Sequence, residues 1–403
     1  MATAQTARPA RPLQEREALS LPLLEAGFRP FFLLSGIWAA VAVGLWIPAY
    51  IGLLAFPSAL APMTWHLHEA IYGFGVAAVA GFLLTAVPTW TGRVPIAGRP
   101  LAGLALLWLA GRFFCFFSGF TGWQVAMVVD VAFLAVFFAV IAREILAGRN
   151  WRNLPPAIAV AILALGNAAV YLEGRWDWIP SGLGGRIGLA MLLLLITLIG
   201  GRIIPAFTRN WLAKQQRGPL PIPFNSFDRV VLLASVAGLL AWTAYPDALL
   251  TGALLLLAGI LNLSRLARWR GFATFAEPLL TILHLGYFWL GFGLLLLGLE
   301  LILSEPSLRG ALHALAAGAA GTMILAVMTR ASLGHSGRPL TAGQGTCVCY
   351  LLLTAAVVMR VVSPAVPAIE ISLLSFSALA WIAAFGLFVT LYSPLFFRRH
   401  ASS

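Results

Sequence analysis

The sequence predicts an all-α polytopic membrane protein of about twelve transmembrane helices, with both termini in the cytoplasm. The 403 residues are 61% hydrophobic and only 10% charged, which is too little charge to cover the surface of a soluble protein of this size. Apolar stretches of about 20 residues, each long enough to cross the hydrocarbon core of a bilayer, recur along the chain. Basic residues gather in alternate connections between these stretches.

The predicted helices follow one another without an inserted soluble domain. The first apolar run is too long for the hydrophobic region of a signal peptide, so we expect it to remain as a membrane anchor. We expect a cytoplasmic tail at 1–29, a single transmembrane domain at 30–396 and a second cytoplasmic tail at 397–403. The predicted helices, numbered 1 to 12, span 31–55, 63–88, 101–118, 122–146, 155–173, 184–207, 227–245, 247–266, 278–303, 309–329, 346–363 and 368–393.

The distribution of basic residues predicts the orientation and explains the net charge of +12. With the N-terminus inside, 20 of the 26 Lys and Arg residues fall in the tails and cytoplasmic loops, and three fall on the opposite side. Cytoplasmic loops of membrane proteins carry such an excess of Lys and Arg. The bias therefore places both termini in the cytoplasm, supports an even number of helices and makes a nucleic-acid partner unnecessary.

Several charged side chains fall inside the predicted helices, namely Arg112, Asp130, Arg202 and Arg360. Charge within a bilayer is costly, so such groups normally face the interior of the helix bundle and a partner. Arg202 suits a position near a helix end from which its side chain reaches the interface. Arg112 and Arg360 could each pair either with an acidic residue of the protein or with a bound anionic ligand, and the sequence does not choose between these alternatives.

A faint internal repeat links the ends of predicted helices 2, 6 and 10. Thr89, Thr208 and Thr329 lie in similar sequences and are 119 and 121 residues apart. Three pseudo-repeats of four helices would give this spacing. Chance similarity among basic cytoplasmic helix ends would give it as well, so both interpretations stay open.

Five of the six histidines lie in or beside predicted helices and are the candidate metal ligands. His66, His68 and His313 start predicted helices 2 and 10 and fall in the periplasmic third, whereas His284 and His335 fall in the cytoplasmic half. Imidazole binds iron, copper and zinc, and heme is commonly held by axial histidine. A lone intramembrane histidine usually makes an interhelical hydrogen bond, but five of them among few other ionisable groups favour a metal or heme.

His66 and His68 lie about 200° apart around a regular helix, so they cannot share one metal if both are helical. Either one binds while the other faces a neighbouring helix, or the helix begins between them. His68 and Glu69 could act as a ligand and its supporting carboxylate or as a proton relay. Glu69 is therefore the candidate catalytic residue.

The three cysteines do not form the pattern of a disulfide framework. Cys115, Cys347 and Cys349 all fall inside or at the edge of apolar runs. The pair Cys347 and Cys349 has the donor type to bind copper, but two small buried residues at the start of a helix are the preferred interpretation.

Motifs from one end of the chain to the other resemble those of a known family. They are Gly27-Phe28-Arg29-Pro30-Phe31-Phe32, Trp65-His66-Leu67-His68-Glu69, Gly81-Phe82-Leu83-Leu84-Thr85-Ala86-Val87-Pro88, Gly201-Arg202-Ile203-Ile204-Pro205, His284-Leu285-Gly286-Tyr287 and Met328-Thr329-Arg330-Ala331-Ser332-Leu333-Gly334-His335. With these motifs the chain resembles the NnrS family. One departure is Ala70, where a bulkier apolar residue is expected, and it leaves the histidines untouched.

The resemblance implies a protein of the bacterial inner membrane that contains heme and copper and belongs to the response to nitric oxide. Together with the histidines it predicts heme b and copper bound within one set of residues. This set is His66, His68, His284, His313 and His335. Arg112 and Arg360 are candidates for pairing with heme propionates, because arginine binds carboxylates through two hydrogen bonds.

Three functions remain open from the sequence. The leading hypothesis is a heme- and copper-binding membrane protein that binds nitric oxide and reduces or otherwise detoxifies it, with a quinol or a cytochrome as electron donor. The second is a multi-helix transporter for copper, heme or another anion, because internal repeats are common in transporters. The third is a heme electron carrier or nitric oxide sensor without turnover.

Overall fold

Twelve helices long and apolar enough to cross a membrane make up most of the protein. The structure, a computed structural model, describes residues 21–216 and 218–398, and these ranges contain no β-strand. The predicted all-α class with twelve spans is therefore confirmed. Helices α1 to α12 are Phe28–Tyr50, Pro62–Thr91, Arg99–Phe116, Trp123–Ala147, Trp151–Leu172, Leu183–Lys214, Ser226–Ala244, Leu249–Ala267, Pro278–Leu303, Ala311–His335, Gln344–Ala365 and Pro367–Phe396.

Parts of both predicted tails, 1–20 and 399–403, lie outside the described residues. The orientation of the chain in the membrane and the limits of the tails stay predictions.

Helices α6 and α10 extend beyond their predicted ends by about two turns. Hydropathy places the ends at 207 and 329, but the helices continue to Lys214 and His335. The final turns of both helices are polar, so hydropathy does not assign them to the helices. Their backbone hydrogen bonds nevertheless continue the helix. His335 was expected just after α10 and is instead the last residue of that helix.

Four helices form the interior of the bundle. Buried residues make up 72% of the most apolar window of α2, 61% of that of α6 and 67% of those of α9 and α10, whereas no other span exceeds 50%. Helix α9 is apolar on all sides, which suits a helix surrounded by other helices. The candidate ligands His66, His68, His284, His313 and His335 all belong to these interior helices.

Three of the interior helices contain a π-helical segment in mid-course. The segments are Glu69–Gly75 in α2, Ile196–Gly200 in α6 and Ala314–Gly321 in α10. The segments of α2 and α10 contact each other, and both contact α6. Because π-helical turns are rare and often mark functional sites, the place where they meet is a candidate site. The π-helical segments occur in every fourth helix, which is the spacing of the predicted internal repeat. The repeat itself stays a prediction.

Candidate functional site

His66 and His68 point to two different places, as their separation on a helix predicts. Both lie in the α-helical start of α2, Pro62–His68. The His68 ring is fully buried and faces side chains of α3, α4 and α5. His66 stacks on Trp46 of α1. The two histidines therefore belong to separate sites.

His68 belongs to a cluster of four ionisable side chains, which we call the buried ionic cluster: His68, Glu69, Arg112 and Asp130. None is more than 2% exposed. Arg112 donates from Nη1 to Glu69 Oε2 at 2.6 Å and from Nη2 to Asp130 Oδ1. His68 completes a ring, because its Nδ1 lies 3.0 Å from Glu69 Oε1 and its Nε2 lies 3.0 Å from Asp130 Oδ2. Buried charges of this kind persist only when they are paired.

The two carboxylates of the cluster receive further hydrogen bonds. Trp38 donates from Nε1 to Glu69 Oε2 at 2.6 Å, and the hydroxyl of Tyr171 donates to Asp130 Oδ2 at 3.2 Å. Each carboxylate thus accepts from a guanidinium and from one neutral donor. These donors stabilise the ionised form of both groups.

Two glycines make room for the buried ionic cluster. A Cβ atom at Gly73 would lie 2.5 Å from Trp38 Nε1 and 2.7 Å from Glu69 Oε2, and one at Gly111 would lie 2.8 Å from Asp130 Oδ1. Only the absence of a side chain lets these groups approach the helix backbones so closely. Gly73 and Gly111 thus allow the close packing that brings these charged groups together.

The hydrogen-bond pattern of the cluster suits a protonated His68. Both ring nitrogens face carboxylate oxygens, whereas a neutral imidazole has only one N–H to donate. With an imidazolium the two carboxylates, the guanidinium and the imidazolium sum to zero charge. The cluster is then neutral as a whole, which lowers the cost of its burial.

Cys115 of α3 adjoins the buried ionic cluster. Its Sγ lies 3.6 Å from Nδ1 of His68. His68, Glu69 and Cys115 each offer one potential ligand atom, and these three atoms lie within 4.8 Å of one another. Nitrogen, oxygen and sulfur donors of this kind suit copper. Cys347 and Cys349 lie elsewhere, at the start of α11.

His66 and His313 form the second site, together with Arg360. The His66 ring lies 4.0 Å from the Trp46 ring, centroid to centroid, with planes 20° apart. His66 and His313 lie close enough to interact electrostatically with each other, and both interact with Arg360. In each histidine Nδ1 is buried without a hydrogen-bond partner, although both rings remain half-buried rather than sealed. His284 Nδ1 also lacks a partner, so this site is distinguished by two such nitrogens near one another and near Arg360.

Arg360 and Arg112 differ in how many guanidinium N–H groups remain free to bind a ligand. Both terminal nitrogens of Arg112 already bind carboxylates of the protein. Arg360 donates from Nη1 to the hydroxyl of Ser363 at 2.9 Å, and within residues 21–216 and 218–398 it forms no salt bridge. Of the two arginines expected to bind heme propionates, Arg360 is therefore the one with donors to spare.

His284 and His335 lie apart from both sites. His284 Nε2 lies 2.9 Å from the Thr208 hydroxyl, and Nδ1 abuts Gly271, where a Cβ atom would lie 2.8 Å away. His335 is exposed and packs its ring 5.4 Å from that of Phe28. The structure thus brings together His66 with His313 and, separately, His68 with Glu69, but it does not bring all five histidines to one place.

Sequence reasoning missed a second buried network at the other end of the bundle. Arg265 is fully buried in the last turn of α8. It donates to Asp228 Oδ1 at 2.8 Å, to the Tyr287 hydroxyl at 3.0 Å and to the carbonyl of Thr197 at 2.9 Å. The hydroxyl of Tyr287 in turn donates to Asn262 at 2.7 Å. Thr197 lies in the π-helical segment of α6, whose open carbonyl the arginine satisfies.

The partners of the buried ionic cluster also went unrecognised, although the sequence carries a signal for them. Asn167 is an isolated amide in the apolar α5, and its Oδ1 lies 2.8 Å from His68 Nε2. An amide in such a position needs an interhelical partner. Trp38 and Cys115 carry no comparable signal, because tryptophan and cysteine are common in apolar helices.

Comparison with protein families gives one match over nearly the whole chain. The family described as NnrS protein matches residues 22–400, which include all twelve spans and both histidine sites. No curated protein matches the chain significantly. A match of this extent confirms the resemblance seen in the motifs. The chain belongs to the NnrS family.

Proposed function

We propose that this protein binds heme b and copper in the bacterial inner membrane and uses them to bind and reduce nitric oxide. Membership of the NnrS family fits a multi-pass membrane protein of the nitric oxide response. The observation that carries the proposal is the pair His66 and His313, whose Nδ1 atoms are buried without partners beside Arg360. A buried polar atom without a partner calls for a ligand or another explanation.

The residues around His66 fit a heme. Imidazoles from α2 and α10 would bind the iron, and Arg360 would offer a cation for a propionate. Trp46 stacks on the His66 ring and would fix its orientation. Arginine pairs with carboxylates through charge-assisted hydrogen bonds. Bound there, heme iron supplies the site for a diatomic gas and for electron transfer. His66 and His313 would hold the iron, and Arg360 would neutralise one propionate.

The residues around His68 fit monovalent copper in place of a proton. The Nδ1 proton of His68 lies among Glu69 Oε1 and Cys115 Sγ. A cuprous ion would replace the single positive charge of that proton, and Cys115 would bind as a thiolate after losing its own proton. Two protons would therefore leave, and the occupied site would carry one net negative charge. Metal ions bind deprotonated ligands and release protons in this way. Arg112 and Trp38 hold Glu69 as a carboxylate, which suits a ligand better than the acid catalyst considered from the sequence.

The proposed reaction consumes two molecules of nitric oxide, two electrons and two protons, and yields nitrous oxide and water. A quinol or a cytochrome supplies the electrons. An electron carrier or sensor without turnover uses the same heme, so activity decides between them. If reduced protein binds nitric oxide but forms no nitrous oxide with a donor present, the enzymatic part of the proposal is wrong.

The cofactors are tested by purifying the full chain from cells supplied with iron and copper. We expect a Soret band and bound copper, and colourless metal-free protein would overturn the proposal. The five single His→Ala variants then assign the ligands. Heme should be lost from the variants of His66 and His313 and retained in those of His284 and His335, with size-exclusion profiles as the control for folding.

A transporter predicts a different outcome. Accumulation of copper or heme in vesicles, abolished by His66→Ala in protein that holds no stable heme, would favour transport over nitric oxide chemistry.

A further inference from the structure

A cavity lies between α1 and the interior helices α2, α6 and α10, at the level of the π-helical segments of α6 and α10. It is lined by α1, α2, α6 and α10 and has a volume of about 80 Å³. Small residues leave this space open, among them Ala78, Gly200 and Ala320. Gly200 and Ala320 belong to the π-helical segments of α6 and α10, so the change in helical pitch and the cavity occur at the same level.

The lining of the cavity offers water nothing to bind. All of its side chains are apolar, and Met323 and Met328 contribute the only heteroatoms. A buried water needs two to four polar partners, whereas cavities lined by Leu, Ile and Phe stay dry and bind apolar guests such as xenon. We therefore expect this cavity to exclude water.

The size and the apolar lining of the inner space suit a small molecule. Its volume of about 80 Å³ accepts a molecule of a few atoms and is far too small for a whole porphyrin. Neither His66 nor His313 lines it, nor does any other histidine. The fitting occupant is a small uncharged molecule that prefers hydrocarbon to water, which is the chemistry of a diatomic gas.

The cavity also lies within reach of the histidine site. Ala320 follows His313 on α10 by seven residues, which corresponds to roughly 10 Å along a helix. The cavity opens at one side, where Val79, Ile199 and Val327 are half-buried. The residues at this opening are apolar, so a gas molecule that enters there crosses no polar barrier.

We propose that this cavity is a binding site for an apolar diatomic gas, separated from His66 and His313 by a few helical turns. The proposal rests on the proposed function for the identity of the gas, nitric oxide, but not for the existence of the binding site. Xenon serves as the probe for the site itself, because it reports an apolar cavity whether or not heme is present.

The first experiment measures xenon binding to the purified full-length protein by xenon-129 NMR. We expect saturable binding that Ala320→Leu weakens by about tenfold or more, because three added carbons fill the cavity. Ala78→Leu provides an independent filling variant, and Phe82→Ala, which enlarges the space, should bind xenon at least as well as the parent. Ala213→Leu, exposed near the end of α6, is the matched control and should leave binding unchanged.

Two xenon results would overturn the binding site. One is uptake that never saturates, as expected for xenon dissolved in detergent alone. The other is saturable uptake that is unchanged in folded Ala320→Leu and Ala78→Leu. Xenon would then bind elsewhere in the protein, as it would if a lipid chain permanently filled this cavity. Thermal unfolding of each variant identifies any that fails to fold.

The second experiment follows nitric oxide after flash photolysis of the heme complex. We expect saturating xenon and Ala320→Leu to change the fraction of gas that rebinds from within the protein, and Ala213→Leu to have no effect. Saturable xenon binding without any effect on rebinding would remove the role of the cavity in gas supply. Saturable xenon binding to protein that holds no heme would instead refute the proposed function and leave the apolar site standing.

Discussion

His66 and His68 are separated by one residue on α2, yet His66 stacks on Trp46 while His68 bridges Glu69 and Asp130. The first π-helical segment begins directly after His68. Two adjacent sites with different chemistry are thus built from one helical turn. His66 shares its site with a second histidine and a cation, and His68 shares its site with a thiol and two anions, so each variant should affect one cofactor and spare the other.

Cys115→Ser should lower the copper content of the purified protein and leave the heme content unchanged. The thiol lies 3.6 Å from His68 Nδ1, and a hydroxyl is a much poorer ligand for monovalent copper than sulfur. Copper and heme are measured on the same sample, by metal analysis and by the pyridine hemochrome spectrum.

Cys349→Ser is the matched control, because Cys349 is equally buried but lies on α11. Copper lost from Cys349→Ser and retained in Cys115→Ser would place the metal away from the buried ionic cluster.

Arg112→Met should destabilise the protein strongly. The substitution leaves the carboxylates of Glu69 and Asp130 with one cation, His68, between them, and breaking a buried ion pair costs about 3–5 kcal/mol. We expect a clear drop in the thermal unfolding temperature in detergent.

Arg93→Met tests whether the effect is specific to burial. Arg93 pairs with Glu144, but its side chain is 42% exposed. Glu144 keeps Arg143 as a second partner, so we expect a loss of about 0–1 kcal/mol. Equal losses of stability in the two variants would mean that the cluster is not the stabilising unit described above.

The sequence predicts the membrane fold well because hydropathy responds to the same physics that builds the helices. It misplaces the ends of α6 and α10, whose last turns are polar and held by backbone hydrogen bonds. It identifies His66, His68, His313, Arg112 and Arg360 as unusual, since charge and imidazole stand out in apolar helices. It cannot pair them, because contacts between helices depend on rotation and π-helical shifts that leave no periodic pattern.

Gly73→Ala should destabilise the protein by about 1–3 kcal/mol, the usual cost of overpacking a tight interior. The added methyl group would lie 2.5 Å from Trp38 Nε1 and 2.7 Å from Glu69 Oε2, so it pushes an indole and a carboxylate apart. Equilibrium unfolding gives the magnitude, and tryptophan fluorescence reports the displaced indole.

Gly103→Ala provides the comparison within α3, where a Cβ atom meets nothing within 4 Å. It should leave the protein unchanged or stabilise it by up to about 1 kcal/mol, because alanine favours the helix. A Gly73→Ala protein as stable as Gly103→Ala would mean that Trp38 and Glu69 are not in tight contact with this helix.

Arg360→Met should release heme faster than the parent protein while keeping the Soret band of freshly prepared samples. His66 and His313 still supply nitrogens to the iron, but the cation that pairs with a propionate is gone. A charge-assisted hydrogen bond contributes about 1.5–3 kcal/mol, so dissociation of heme should accelerate by roughly ten- to a hundredfold. Transfer of heme to an excess of apomyoglobin measures this rate. Arg202→Met, which removes an exposed arginine from α6, should not change it, and a parent-like rate for Arg360→Met would mean that no propionate lies beside Arg360.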